Sequence, residues 1–425
     1  MTGLRLGLAA LMTATALASS ASLGQAAELR MSWWGGDSRH EATQAALKAC
    51  GEKHGHTVKP EFTGWSGHLE KVTTQIAGGT EADIMQINWP WLPLFSANGE
   101  GFADLNDLSG IIQLDNWTGD QLASTSVNGH LNGLPVSTTG RVFFFNETTF
   151  RKAGVGLPGS FEELFAAAGK MRETLGEDTY PLNAIKETAA LLVSLYTTQQ
   201  TGKDMIDPAT ATVAWSPEEL AAGIAFYGKM MQDGVVMSQE KANAAGNANL
   251  YEKPEWADGH IAGSYEWDST YFKFADPLQE DQKLVPVKTL KGEGAVTDGI
   301  YRKPSMMFSI SRRSQNPEAA AQILNCLLNE PEGIAALGTT RGLPASKAAA
   351  DQLKAEGSIK PELAEANEII MAASGPTVSP LNEHPEVRTV FLDTLELYAY
   401  GQIDAEAAAE EIIAGINEAI EDYRP

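Results

Sequence analysis

Flat aromatic faces, amides, guanidinium groups and carboxylates recur in this chain where apolar runs end. That mixture suits a carbohydrate, because indole covers the apolar face of a sugar ring while amides and carboxylates share its hydroxyls. The clearest instance is Leu29 to Glu41, L-R-M-S-W-W-G-G-D-S-R-H-E. A short apolar strand runs there into Trp33, Trp34 and two glycines, then into Asp37 and Ser38 at the start of a capped amphipathic helix. Such a turn places Trp33, Trp34, Arg39 and His40 at a strand's carboxyl end, where open α/β sheets form ligand crevices. Burial of both tryptophans in a core is not expected, since successive strand residues face opposite sides. Trp65, the run Gln86-Ile87-Asn88-Trp89, Thr138, Trp267 and Asp268 fall in comparable positions. Arg39, Arg141 and Arg341 lie near loops and have the planar fork that holds a carboxylate bidentately.

Catalytic signatures are sparse. None of the seven histidines sits in an H-E-x-x-H arrangement, and His54 and His56, two apart in a glycine-bearing turn, make a weak metal signal. The chain has no G-x-S-x-G elbow and no phosphate-loop lysine pattern. No metal or cofactor is expected. A carboxylate pair of the glycosidase kind needs nearness in space rather than in sequence, so a glycan-degrading enzyme stays open as an alternative.

The elements that must position these groups alternate. Strand, helix, strand, helix and strand follow one another from Leu29 to Asn88, the spacing of a parallel α/β sheet with right-handed crossovers. A turn-rich hairpin covers Val127 to Pro135, and a polar S-T-T-G tetrad at Ser137 to Gly140 separates it from the apolar run R-V-F-F-F-N ending at Asn146. Helical patterns follow at Phe161 to Leu175, Ala189 to Thr198, Pro217 to Gln232 and Pro317 to Leu328, with a strand at Met306 to Ile310.

Composition sets the compartment. Arg5 is the lone charge before Glu28, an apolar run spans Leu6 to Leu17, and small residues precede Ala26. These features mark residues 1–26 as an export signal cleaved near Ala26, too short in its apolar run to span a bilayer. The chain of 425 residues carries a formal charge of −24, which becomes −25 once the signal and Arg5 are removed. So acidic a protein is an unsuitable partner for nucleic acid or anionic lipid. Its two cysteines, Cys50 and Cys326, either pair or stay as buried thiols.

Several ordered motifs resemble those of the extracellular solute-binding proteins of bacterial sugar ABC importers, the group that includes maltose-binding proteins. They are E-A-D-I-M (81–85), N-G-H-L-N-G-L-P (128–135), F-F-F-N (143–146), S-Q-N-P-E-A-A (314–320) and G-L-P-A-S-K (342–347). Within that group, S-W-W-G-G-D-S-R-H-E-A-T, T-G-W-S-G-H-L-E-K and G-R-V-F-F-F-N resemble the branch that binds pectin-derived oligogalacturonides.

The resemblance implies an α/β, type II periplasmic binding protein whose two lobes close on a sugar like a flytrap about a hinge. It implies a periplasmic single chain that binds an acidic oligosaccharide without turnover and delivers it to membrane permease subunits. A neutral-sugar binder is the alternative ligand reading. On the same resemblance the first lobe takes residues 27–137 and 303–337, and the second takes 138–302 and 338–425. Trp33, Trp34, Trp65, Gln86, Asn88 and Trp89 then belong to the first lobe's rim. Thr138 and Arg141 fall at the hinge, Trp267 and Asp268 on the second lobe, and Lys303 and Arg341 near the later crossings. Glu266 and Arg302 depart from the pattern, and Glu266 would repel a uronate set against it.

Overall fold

The structure, a computed structural model, describes residues 26–246 and 248–424. Apart from Ala26, the expected export signal lies outside them. Among the described residues no helix is long and apolar enough to cross a membrane.

The first sheet is built from β1 (Glu28–Trp34), β2 (Thr57–Thr63), β3 (Ile84–Asn88), β4 (Leu134–Pro135) and a late arrival, β9 (Met306–Ile310), in the order β2-β1-β3-β9-β4. β1 runs parallel to β2 and β3, and β9 pairs antiparallel with β3 and β4. Helices α1 (Asp37–His54) and α2 (His68–Gly78) make the crossovers. Leu29, Met31, Ile84, Ile87, Phe308 and Ile310 fill the core beside the sheet.

Both faces of such a sheet are covered, so neighbouring strand residues can both be buried. Trp33 is 0% exposed and Trp34 is 7% exposed, against the expectation that alternation would keep one of them out of the core. The start of α1 also departs from expectation: its N-cap is Gly36, which has no side chain to cap with. Arg39, Thr43, Ala46, Leu47 and Cys50 form the buried stripe of α1, at helical spacing. Cys50 is joined to Cys326 of α7 (Pro317–Asn329), which decides between pairing and free thiols in favour of the disulfide.

The second sheet centres on β5 (Thr138–Asn146), flanked antiparallel by β6 (Gly263–Trp267) and β7 (Leu284–Val287). The first three residues of β5 pair instead with β8 (Arg302–Pro304), so two strands run side by side where the chain passes between the sheets. Helices α3 (Phe161–Leu175), α4 (Glu187–Thr201), α5 (Pro217–Gln232), α10 (Pro361–Ala372), α11 (Pro385–Ala399) and α12 (Ala405–Ala419) pack around this sheet. The short α6 (Tyr271–Ala275) follows β6 after one turn of 3-10 helix.

The chain expected to join the second lobe from residue 338 does not yet do so. After α8 (Pro331–Leu337), α9 (Lys347–Ala355) folds back on α7 and α8, and Ile334, Ala349 and Leu353 share a small apolar cluster. Arg341 explains the detour, because its guanidinium bonds to Gln86 and Thr43 and holds the intervening loop on the first sheet.

Candidate functional site

The ladder of β5 assembles the centre of the site. Arg141 stands opposite Trp267, and Thr139 stands opposite Lys303. Thr139 and Arg141 are two apart on one strand, so their side chains share a face, and cross-strand partners share it with them. The result is two cations over one indole: the Arg141 guanidinium carbon lies 4.3 Å, and the Lys303 ammonium 4.6 Å, from the Trp267 ring centroid. Both distances are within the range of cation–π attraction.

A cavity of about 490 Å³ opens in front of this face, between the two sheets. Trp34, Arg39, Trp65, Asn88, Arg141, Trp267 and Lys303 line it, seven of the positions expected from sequence. Trp34, Trp65 and the buried Trp91 form one aromatic cluster, with ring centroids 5.4 to 5.6 Å apart. This volume lies in the range of small-ligand sites, and its lining mixes aromatic faces with convergent polar groups.

The other expected positions lie behind the wall. Trp33 is buried and donates from its indole N–H to His40 Nδ1 at 3.0 Å, while His40 stacks on Phe62. Burial lowers the pKa of His40. Gln86 donates to the Trp34 carbonyl and accepts from Arg341 Nε at 2.8 Å. Arg341 also donates to Thr43, whose hydroxyl donates to the Arg39 carbonyl, so Gln86 and Arg341 brace the strand end and the first turn of α1. Trp89 donates to the Ser124 carbonyl at 2.8 Å.

Thr138 misses the cavity by one residue, and the two-residue period of the strand gives that place to Thr139. Asp268 is fully buried and accepts from the Thr139 hydroxyl, the Gly140 and Ser269 N–H groups and the Asn367 amide, which fixes the crossing strand rather than a ligand. Burial raises its pKa against those hydrogen bonds.

Sequence reasoning missed the acids and cations that come from helices and turns. Glu383, in the 3-10 turn before α11, pairs with Lys303 at 2.7 Å and accepts from the Asn88 amide at 3.4 Å. Burial would raise the Glu383 carboxyl, but Lys303, Arg388 and Arg141 outweigh it and hold it below the usual range. Burial lowers the Lys303 ammonium, with Glu383 opposing. Glu187, at the start of α4, pairs with Arg388 at 2.9 Å and lies 3.8 Å from Arg141. Glu266 lies 3.3 Å from Arg141, and burial raises its carboxyl against the pull of that cation. Lys186, Lys253, Lys273 and Tyr251 complete the second-lobe side. Rules built on strand ends could not reach Glu383 or Arg388, whereas Lys273, six residues beyond Trp267, followed a strand end that had been recognised.

Charge is the distinctive feature of the lining. Among the described residues, seven cations face the cavity, namely Arg39, Arg141, Lys186, Lys253, Lys273, Lys303 and Arg388, against three carboxylates, Glu187, Glu266 and Glu383. The cavity is therefore positive inside a chain of formal charge −24.

Two α/β lobes linked by crossing strands and facing each other over a polar, aromatic cavity define a solute-binding protein of the two-lobed type. The chain belongs to the bacterial extracellular solute-binding protein family, whose model matches residues 36–334. It is 37% identical to a periplasmic oligogalacturonide binding protein from Yersinia enterocolitica, solved in complex with saturated digalacturonic acid. That match has a TM-score of 0.89 and covers 93% of this chain and 99% of the other. A periplasmic solute binding protein from Pectobacterium atrosepticum is 36% identical, with a TM-score of 0.88 and coverage of 94% and 100%. Among curated relatives, a binding protein of Brucella abortus (strain 2308) is 29% identical over 244 residues, 54% of this chain and 55% of that protein. The chain thus spans about half the length of the curated relatives it matches first. These relatives are binding proteins rather than enzymes.

Proposed function

We propose that this protein captures a short acidic oligosaccharide, a pectin-derived oligogalacturonide, between its lobes and delivers it to the permease subunits of an ABC importer. It works in the periplasm as a single chain and leaves the sugar chemically unchanged. The observation that carries this reading is the reversal of charge at the cavity. A protein of this net charge repels a polyanion at long range, and local cations prevail only within about one Debye length, roughly 8 Å at physiological salt. A neutral sugar has no need of such a lining.

Trp34, Trp65 and Trp267 supply faces for the sugar rings, Asn88 and Thr139 supply hydrogen bonds to hydroxyls, and Arg39, Arg141, Lys273 and Lys303 meet the carboxylates. Glu266, which by itself would repel a uronate, is held by Arg141 and so serves to fix that guanidinium. The likeness to the Yersinia protein supports the same ligand class.

A thermal-shift panel of galacturonate, galactoside and maltose-type oligomers tests the proposal, since a ligand that binds only the folded state raises the melting temperature. Galacturonides should raise it and the neutral sugars should not. A shift with galactosides alone would replace the acidic ligand with a neutral one, and new reducing ends after long incubation would replace binding with hydrolysis.

A further inference from the structure

Arg39 and Lys273 are cavity cations that no ion pair holds among the described residues. Lys303, Arg141 and Arg388 each have a carboxylate partner, at 2.7, 3.3 and 2.9 Å. Among the described residues the Arg39 guanidinium donates only to the main-chain carbonyls of Thr340, at 3.0 Å, and Trp34, at 3.4 Å. The Lys273 ammonium lies over the rings of Tyr251, at 4.2 Å, and Phe274, at 5.9 Å. Among the described residues neither cation is in an ion pair, yet Arg39 is 7% exposed and both line the cavity. Burial pushes Arg39 down to about 10 and also lowers Lys273, where the more distant Glu266, Glu187 and Glu252 carboxylates oppose the shift and the Arg39 charge adds to it. A charge taken out of water without a counter-ion is costly, and its partner must come from elsewhere.

The two cations belong to different lobes. Arg39 is in the first turn of α1, and Lys273 is in α6. Both helices present residues to the same cavity, Ser38 and Arg39 from α1 and Phe272 and Lys273 from α6. Gly35 and Gly36 also line the cavity there, and a Cβ on Gly35 would come within 2.6 Å of Arg39 Cδ. The turn is therefore built to let the Arg39 side chain lie back along it.

We infer that Arg39 and Lys273 form a clamp for one ligand carboxylate, so that an acidic sugar draws the lobes together through a contact a neutral sugar cannot make. Two like charges facing each other across a cleft repel, and an anion seated between them replaces that repulsion with two attractions. A ligand shifts an open–closed equilibrium only by its difference in affinity for the two forms. A carboxylate that reaches both cations only when the lobes meet supplies that difference. Lys273 is thus a specificity-determining residue. The inference rests on the acidic-sugar reading and extends it, by assigning closure to one carboxylate.

The test crosses a variant with a ligand. Digalacturonate and its dimethyl ester are titrated calorimetrically into the parent and Lys273→Met, and small-angle scattering follows the radius of gyration. Removing one partner of a desolvated charge pair should weaken digalacturonate binding at least about thirty-fold. Binding of the dimethyl ester should change by less than about threefold, and only the acid should contract the parent. Equal losses on both ligands, a variant that binds the acid like the parent, or equal contraction with the ester would each overturn the clamp. Tight digalacturonate binding by the parent in those cases would leave the acidic-sugar reading standing. If the parent binds the ester as well as the acid, both fall. Arg39→Gln should show the same dependence on ligand charge. Should its buried position prevent folding, Lys273→Met decides alone.

Discussion

Arg141 and Trp267 are direct partners in the antiparallel ladder of β5 and β6, with the guanidinium carbon 4.3 Å from the indole centroid. The backbone of the second lobe therefore sets the distance between a cation and an aromatic plane, two groups that a uronic acid needs side by side. The same guanidinium holds Glu266 at 3.3 Å, so its removal strands that buried acid, while Glu187 keeps Arg388. Arg141→Gln should abolish galacturonide binding and lower unfolding stability by about 3–5 kcal/mol, the cost of breaking a buried pair from one side. Adding Glu266→Gln should restore part of the stability but not the binding. Denaturant titration of both variants checks this, and a fully stable single variant would show that Arg141 does not carry Glu266.

Gly35 and Arg39 are coupled by contact rather than by backbone conformation. A Cβ at Gly35 would lie 2.6 Å from Arg39 Cδ and 2.9 Å from its Cβ. Gly35→Ala should therefore displace the arginine, costing about 1–3 kcal/mol through overpacking. Calorimetry should record weaker galacturonide binding in the variant, whereas Gly36→Ala, with nothing within 4 Å of its added Cβ, should bind nearly as the parent does.

Most of the fold was legible because period and punctuation agree. The helices Phe161–Leu175 and Pro217–Gln232 and the strand Met306–Ile310 begin and end where the sequence pattern places them. The site was legible where it hangs on strand ends, as at Trp34, Asn88 and Trp267. It was illegible where the cavity takes residues from helices and turns, as at Glu383 and Arg388, because nothing local marks a helix face that looks inward. Thr138 and Asp268 show a second limit: sequence locates a crossing, but strand alternation and hydrogen bonding decide which neighbour faces the cavity.

The Cys50–Cys326 disulfide ties α1 to α7 on the first lobe across 276 residues of chain and does not line the cavity. Its loss through a double serine variant should cost about 2–5 kcal/mol of stability. Sugar affinity at low temperature should be unchanged. Thermal melts under oxidising and reducing conditions, paired with calorimetry, check both halves of that expectation.

Asp204 and His68 should give opposite pH dependences. Burial raises Asp204 to about 6, although Ser379 and Asn382 donate to it, so the folded state holds its proton more tightly than the unfolded state. Its contribution is present in full at pH below the unfolded value and is lost as pH rises through about 6. Burial depresses His68 to about 4, so its contribution is present above the usual histidine range and is lost as pH falls toward 4. Between pH 4 and 6 the two slopes oppose each other. Relative to the parent, Asp204→Asn should lose stability on acidification, and His68→Gln should gain it. Chemical denaturation at several pH values checks the sign of each difference.

The most direct measurement is calorimetric titration of digalacturonate, and of a neutral digalactoside with the same linkage, into the purified protein at physiological salt. The positive cavity in an acidic chain leads us to expect saturable one-to-one binding of the acid and no measurable heat from the neutral sugar. Tighter binding of the neutral digalactoside, or no binding of the acid, would contradict the assignment.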